Sequence, residues 1–293
     1  MDGYGLTPLD GGFSGETFRG DAGGERTVVR VYAGRGARRG ADAVLIDAAV
    51  LSLVRGLVPV PLVLEVRRPT AEQPAVLVTS YLPGERLDLL LADLGVETRA
   101  AVGTSLGRIL GRLATIPMPR VGQFVDADLT VESFDLDLVN WVDDHPPAWP
   151  EGELAPLREV ADHAREQLNR VERISLVHSD FNPKNLLVDR RTGEVTGVLD
   201  WEFAHAGCPV SDLGNLLRFE RDPLFTDAVL TEYARIVPDE WPDLLGAARA
   251  ADLVALVDLA SRRGENPVTE KADVLLRAIA HSSDLHAWPF DAP

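Results

Sequence analysis

Leu176–Leu213, LVHSDFNPKNLLVDRRTGEVTGVLDWEFAHAGCPVSDL, is the stretch whose reading decides the fold. Leu186–Asp189 and Val195–Leu199 are two short apolar runs around a polar Arg-Arg-Thr-Gly-Glu segment, which predicts a β-hairpin. A turn centred on Thr192-Gly193 sets Asn185 opposite Asp200. Opposed residues of an antiparallel pair have Cα atoms roughly 4.5–5.5 Å apart, so an amide oxygen and a carboxylate there can share a hard cation such as Mg²⁺. Five residues before Asn185 stands Asp180, on the loop entering the hairpin, where a carboxylate can accept the proton of a hydroxyl that attacks a phosphate. A base, an amide ligand and a carboxylate ligand are the parts phosphoryl transfer requires.

His178-Ser179-Asp180-Phe181-Asn182-Pro183-Lys184-Asn185 resembles the catalytic loop of the aminoglycoside phosphotransferase family, a branch of the protein-kinase-like fold, whose signature is His-Gly-Asp with Asn five residues after the Asp. Leu199-Asp200-Trp201-Glu202 resembles its metal-binding segment. Asp212, in Ser-Asp-Leu-Gly, resembles the buried aspartate that braces the catalytic loop, with His178 as a packing and hydrogen-bonding residue of that loop. The joint spacing is specific where each short motif alone is not. The departure is Ser179 for the usual glycine.

The resemblance implies an α+β, two-lobed kinase-like chain: residues 1–83 as a small, mostly antiparallel nucleotide-binding N-lobe with one helix, and 84–293 as a larger helical C-lobe with the catalytic loop, metal and substrate site. Gly11, Gly12 and Gly15 then belong to a loop over the triphosphate with Ser14 at its tip, although taken alone the cluster reads first as an ordinary hairpin turn. Thr27–Tyr32 alternates as a strand, and Arg30 takes the place of the lysine that grips the α- and β-phosphates in kinases. Two of the 29 basic residues are lysines, Lys184 and Lys271, so no lysine of the first half can do that work. Asp47, on a helix spanning 41–55, is the residue placed to answer Arg30; Arg35, Arg38 and Arg39 read as solvated. Ser80, Tyr81 and Leu82, ahead of Pro83-Gly84, offer backbone groups to a base at the hinge between lobes.

Past the hinge the periodicity predicts helices over 97–116, 153–173, 222–237, 241–262 and 267–286, with glycines 103, 107 and 111 as packing contacts and 122–152 as loop. Eleven residues separate Asp200 from Asp212, too few for a protein kinase's activation segment. The acceptor is therefore expected to be a small molecule.

Forty-six acids against 29 basic residues, net charge −17, argue against nucleic acid or an anionic membrane as partner and favour a cationic ligand. A single cysteine, Cys208, excludes an internal disulfide framework and a cysteine-built metal site. With no apolar run near twenty residues and no secretory pattern at Met1–Gly5, a cytoplasmic enzyme is expected. LDGGFSGETF (9–18), VVRVYAGRGARRG (28–40), HSDFNPKNLL (178–187) and LDWEFAHAG (199–207) are further similar to phosphotransferases that modify a hydroxyl of basic cyclic-peptide antibiotics of the capreomycin and viomycin type. That resemblance implies ATP or GTP as co-substrate, Mg²⁺, and antibiotic resistance; Glu202, Asp143 and Asp258 are the candidate contacts to the acceptor's charge. A kinase of aminoglycosides, macrolides or small metabolites shares every catalytic residue, and a catalytically inactive kinase-like binding protein is the alternative of another class.

Overall fold

The computed structural model describes residues 5–9, 16–22, 24–33, 39–238 and 241–290. Five strands form one antiparallel sheet in the order β1-β2-β3-β5-β4: β1 (Gly5–Pro8), β2 (Glu16–Ala22), β3 (Glu25–Tyr32), β4 (Val63–Arg67) and β5 (Ala75–Ser80). Helix α1 (Ala43–Val54) joins β3 to β4 and packs on the sheet. β4 starts later than the apolar run 58–66 predicts, because Pro59 and Pro61 carry no amide for a ladder. Successive side chains of a strand point to opposite faces. Val28, Arg30 and Tyr32 therefore share one face, opposite Thr79, Leu77 and Ala75 of β5.

Beyond Pro83 the chain leaves this sheet. β6 (Glu85–Arg86) pairs instead with β10 (Leu186–Val188), which pairs in turn with β11 (Val195–Val198). The residues just past Pro83 are thereby stitched to the hairpin of β10 and β11. A short α2 (Leu87–Leu90) leads to α3 (Val96–Ala114). A Cβ added at Gly103 would come 2.8 Å from the Phe225 carbonyl, and one at Gly111 2.9 Å from Ile236 Cβ, so these positions hold α3 against α7 (Pro223–Ile236).

Residues 122–152 are not all loop. They contain a hairpin of β7 (Gln123–Phe124) and β8 (Val131–Glu132) and helix α4 (Leu138–Asp144), whose first turn is capped by Asp137 accepting from Val139 and Asn140 amides, each at 3.0 Å. α5 (Glu151–Leu168) follows, then β9 (Ser175–Val177), which pairs with β12 (His205–Gly207). α6 (Ser211–Leu217), α7, α8 (Leu244–Ser261) and α9 (Pro267–Ser282) complete the described C-lobe. One apolar cluster runs from Val44 and Leu77 of the N-lobe through Phe181 and Trp201 to Leu213. A second joins α4, α5, α8 and α9. Among the described residues, no helix is long and apolar enough to cross a membrane.

Candidate active site

The hairpin forms, but its register is shifted by one from the sequence expectation. Leu186 lies opposite Val198 and Leu187 opposite Gly197, and a bulge between Leu187 and Val188 then pairs Val188 with Val195. Asn185 is level with Leu199, whose amide donates to the Asn185 carbonyl at 2.8 Å, rather than with Asp200. The turn explains the shift. Asp189 accepts from the amides of Arg191 (2.8 Å) and Thr192 (3.1 Å), and its carbonyl accepts from Gly193, which sits at φ +73. The loop thus closes between Asp189 and Glu194, and the bulge absorbs the extra residue. Asp200 leaves the ladder in a left-handed conformation (φ 63), yet it and Asn185 line the same cleft.

Asp212 reaches the loop at His178–Asp180 from α6. Its two oxygens accept from the amides of His178 (2.7 Å) and Ser179 (2.8 Å), fixing the loop backbone at two successive residues. Burial raises its pKa, against which the two donating amides pull. α6 is itself tightly held. A side chain at Gly214 would run into the Ala248 carbonyl and Asp252 of α8, and Arg218 forms a buried two-pronged pair with Asp252 at 2.6 and 2.7 Å.

His178 is fully buried. Its Nδ1 accepts from the Asp180 amide (3.2 Å) and its Nε2 lies 2.8 Å from the Leu199 carbonyl, which sets the proton on Nε2 and ties the loop to the end of β11. Ser179 sits at φ 68, where an L side chain costs about 1–2 kcal/mol. Glycine suits that position, and its greater unfolded-state freedom offsets part of the gain. Ser179→Gly is therefore expected to leave stability unchanged or raise it by up to about 1 kcal/mol, read from denaturant unfolding.

Asp180 is held from both sides. Asn182 Nδ2 donates to Oδ1 at 2.6 Å and Asn185 Nδ2 to Oδ2 at 2.8 Å, with Lys184 Nζ 3.6 Å from Oδ2. Because the Asn185 amide nitrogen is committed to Asp180, its amide oxygen is the atom left for another partner. A neutral oxygen at Asn185 and an anionic one at Asp200 make a donor set that suits a hard divalent cation retaining several waters.

The cleft beside these residues has a volume of about 480 Å³. Val28, Leu77 and Thr79 line it on the N-lobe side, and Lys184, Asn185, Leu187 and Asp200 on the C-lobe side. Ser80, Tyr81 and Leu82 also line it. The amides of Ser80 and Tyr81 donate to the Leu62 (2.9 Å) and Arg26 (3.3 Å) carbonyls, so these two amides are already engaged.

The profile of the phosphotransferase enzyme family known as APH matches residues 5–246. The chain belongs to this family. A thermostable mutant of aminoglycoside phosphotransferase APH(4)-Ia, solved with AMP-PNP and hygromycin B, is 21% identical with a TM-score of 0.70, over 95% of this chain and 94% of that one. The GDP complex of wild-type aminoglycoside 2'-phosphotransferase-IIIa gives 19% and 0.72, over 96% and 93%. Likeness at this identity establishes the kinase-like fold. Acyl-CoA dehydrogenase family member 10 of Mus musculus is 26% identical over 171 residues, 55% of this chain, and the match spans 15% of that longer protein.

Within this phosphotransferase frame, two sequence assignments are corrected. Asp47 does not serve as the partner expected for Arg30: Arg39 binds both its oxygens (2.7 and 2.8 Å) and the Tyr32 hydroxyl donates to Oδ2 at 2.6 Å. Glu202 is not presented to an acceptor. Its side chain is 5% exposed and its Oε2 lies 2.5 Å from Arg30 Nη2. Arg30 Nη1 lies 3.2 Å from Asp200 Oδ1.

Asp143 pairs with Arg158 at 2.7 Å and Asp258 with Arg262 at 2.5 Å, and neither lines the cleft. Burial works against the Arg218 charge, and Asp252, Asp180 and Asp258 together outweigh it and raise the Arg218 pKa. Ser14 and Gly15 lie outside the described residues, as do Gly11, Gly12, Arg35 and Arg38. Asn182 and Arg39 are the functional candidates that sequence reasoning passed over. The position of Asn182 two residues after the base was a usable signal, since side chains there commonly bond back to the preceding loop.

Proposed function

We propose that the protein transfers the γ-phosphoryl group of ATP or GTP to a hydroxyl of a cationic antibiotic, of which capreomycin- and viomycin-type cyclic peptides are the favoured class. The observation that carries this reading is Asp180, held by Asn182 and by Asn185, which with Asp200 lines the cleft. In that arrangement Asp180 orients the acceptor hydroxyl and takes its proton as the oxygen attacks the γ-phosphorus. The bond to the bridging β-phosphate oxygen breaks, and the nucleoside diphosphate leaves. Mg²⁺ held by the Asn185 oxygen and Asp200 would supply charge neutralisation to the phosphates. Arg30 positions those phosphates, and Lys184 sits where a cation can meet the transferred group. Catalysis of this kind is mostly positioning and electrostatics, which a hydrogen-bonded carboxylate on a braced loop supplies.

The net charge of −17 supports a cationic acceptor. The similarity of residues 9–18, 28–40, 178–187 and 199–207 to enzymes of cyclic-peptide antibiotics supports the narrower class. The test is nucleotide consumption in Mg²⁺ against peptide antibiotics, aminoglycosides, macrolides and small metabolites. Turnover with capreomycin or viomycin is expected. Turnover confined to another group reassigns the acceptor, and nucleotide binding without turnover on any of them favours a binding protein.

A further inference from the structure

The N-lobe lacks a lysine, and the cation that stands in its place is held in an unusual way. Arg30 extends from β3 toward the C-lobe, with Nη2 2.5 Å from Glu202 Oε2 and Nη1 3.2 Å from Asp200 Oδ1. The acid of α1, Asp47, is engaged elsewhere, gripped at both oxygens by Arg39. Arg39 Nη1 also approaches Glu202 Oε2 to 3.9 Å. Tyr32, Asp47, Arg39, Glu202, Arg30 and Asp200 thus form one continuous line of side chains that passes between the lobes at Glu202.

The physical chemistry assigns different tasks along this line. A guanidinium bound at both oxygens of a carboxylate is a preorganised, planar unit, so Arg39 and Asp47 satisfy each other. A nearly buried carboxylate such as Glu202 is costly unless paired, and the pairing here comes from two arginines of the other lobe. Arg30 and Asp200 line the nucleotide cleft, whereas Glu202 lies behind them. Glu202, which holds Arg30, stands two residues past Asp200 within the short 3-10 turn Trp201–Phe203. A cation anchored this way keeps one face on Glu202 while its other nitrogen is directed into the cleft.

We propose that Glu202 is the positioning residue for the phosphate-gripping cation, anchoring Arg30 from the C-lobe while Arg39 occupies the helix acid Asp47. This rests on the phosphotransferase reading and specifies how that site holds its nucleotide. The grip on the phosphates accordingly depends on Glu202 more than on Asp47. Sequence reasoning gave Arg30 to Asp47 and turned Glu202 toward the acceptor.

The test is calorimetric titration of the full-length protein with ADP and with GDP, with and without Mg²⁺, alongside steady-state kinetics. Glu202→Gln is expected to weaken binding of whichever nucleotide the wild type takes by about tenfold, the size of one lost charge-assisted contact. It should raise the nucleotide KM with kcat changed less than about threefold. Asp47→Asn, whose hydrogen bonds are to Arg39 and Tyr32, should weaken binding by less than about threefold.

Because Glu202→Gln also disturbs a buried pair, the decisive comparison is with Arg30→Ala. If Glu202 acts through Arg30, the double variant binds nucleotide no worse than Arg30→Ala alone. Two losses that multiply, or an Asp47→Asn loss equal to that of Glu202→Gln, would overturn the assignment. Loss of binding in Glu202→Gln, against a wild type that binds but turns over no acceptor, supports the anchor and counts against the transferase. A wild type that turns over, with a Glu202→Gln variant that binds equally well, does the reverse.

Discussion

Asp180→Asn is expected to lower kcat by about 10³-fold while nucleotide affinity stays within about threefold. The carboxylate contributes at the moment the acceptor hydroxyl loses its proton, and asparagine cannot take that proton. It does keep the shape, and an amide oxygen in the same place can still accept from Asn182 or Asn185. The loop is fixed by backbone contacts to Asp212 and His178 that the substitution does not touch. Pre-steady-state kinetics separate the steps: the variant should bind nucleotide and acceptor and then stall before transfer. Retained turnover within about tenfold would remove Asp180 from the chemistry.

Asp212→Ala is expected to cost about 2–4 kcal/mol of folding stability, because two buried amides lose their acceptor and each orphaned donor costs about 1–3 kcal/mol. The loss of turnover should be about 10²-fold or more in the fraction that stays folded, since a shift of about 1 Å at a reacting group is enough for that. Asp212→Asn should recover little, because one of the two positions facing an amide donor would then carry a donor itself. Denaturant unfolding and single-turnover rates on the same preparation check both effects. A variant with wild-type stability would show that the loop backbone is held by something other than this carboxylate.

The parts of the site set by local spacing were legible in the sequence. Asp180 and Asn185 lie within one loop and a short 3-10 turn that returns the Asn185 side chain onto the Asp180 carboxylate, whereas Asn182, which binds the same carboxylate, was passed over. Helical periodicity likewise located α3, α5 and α7–α9 with errors confined to the ends. The hairpin register failed by one position because a β-bulge leaves no clear mark in the residues that form it.

The partners of Arg30 were illegible for a different reason. Asp200 and Glu202 stand 170 and 172 positions away, and lobe packing alone decides which acid a strand arginine meets. Arg39 read as a solvated residue of a glycine-rich segment, yet it binds Asp47 with two hydrogen bonds. Helix α4 is seven residues long and sits in a proline- and acid-rich stretch, too short for periodicity to register; its Asp137 cap was its clearest signal.

The most direct measurement follows the phosphoryl group itself. Full-length protein is incubated with Mg²⁺ and γ-labelled ATP or GTP in the presence of capreomycin, with Asp180→Asn as the control. Label should appear on a hydroxyl of the peptide, matched by an equal amount of nucleoside diphosphate, and should vanish in the control. Label that reaches only water, or transfer that persists undiminished in Asp180→Asn, would contradict a phosphotransferase working through this loop.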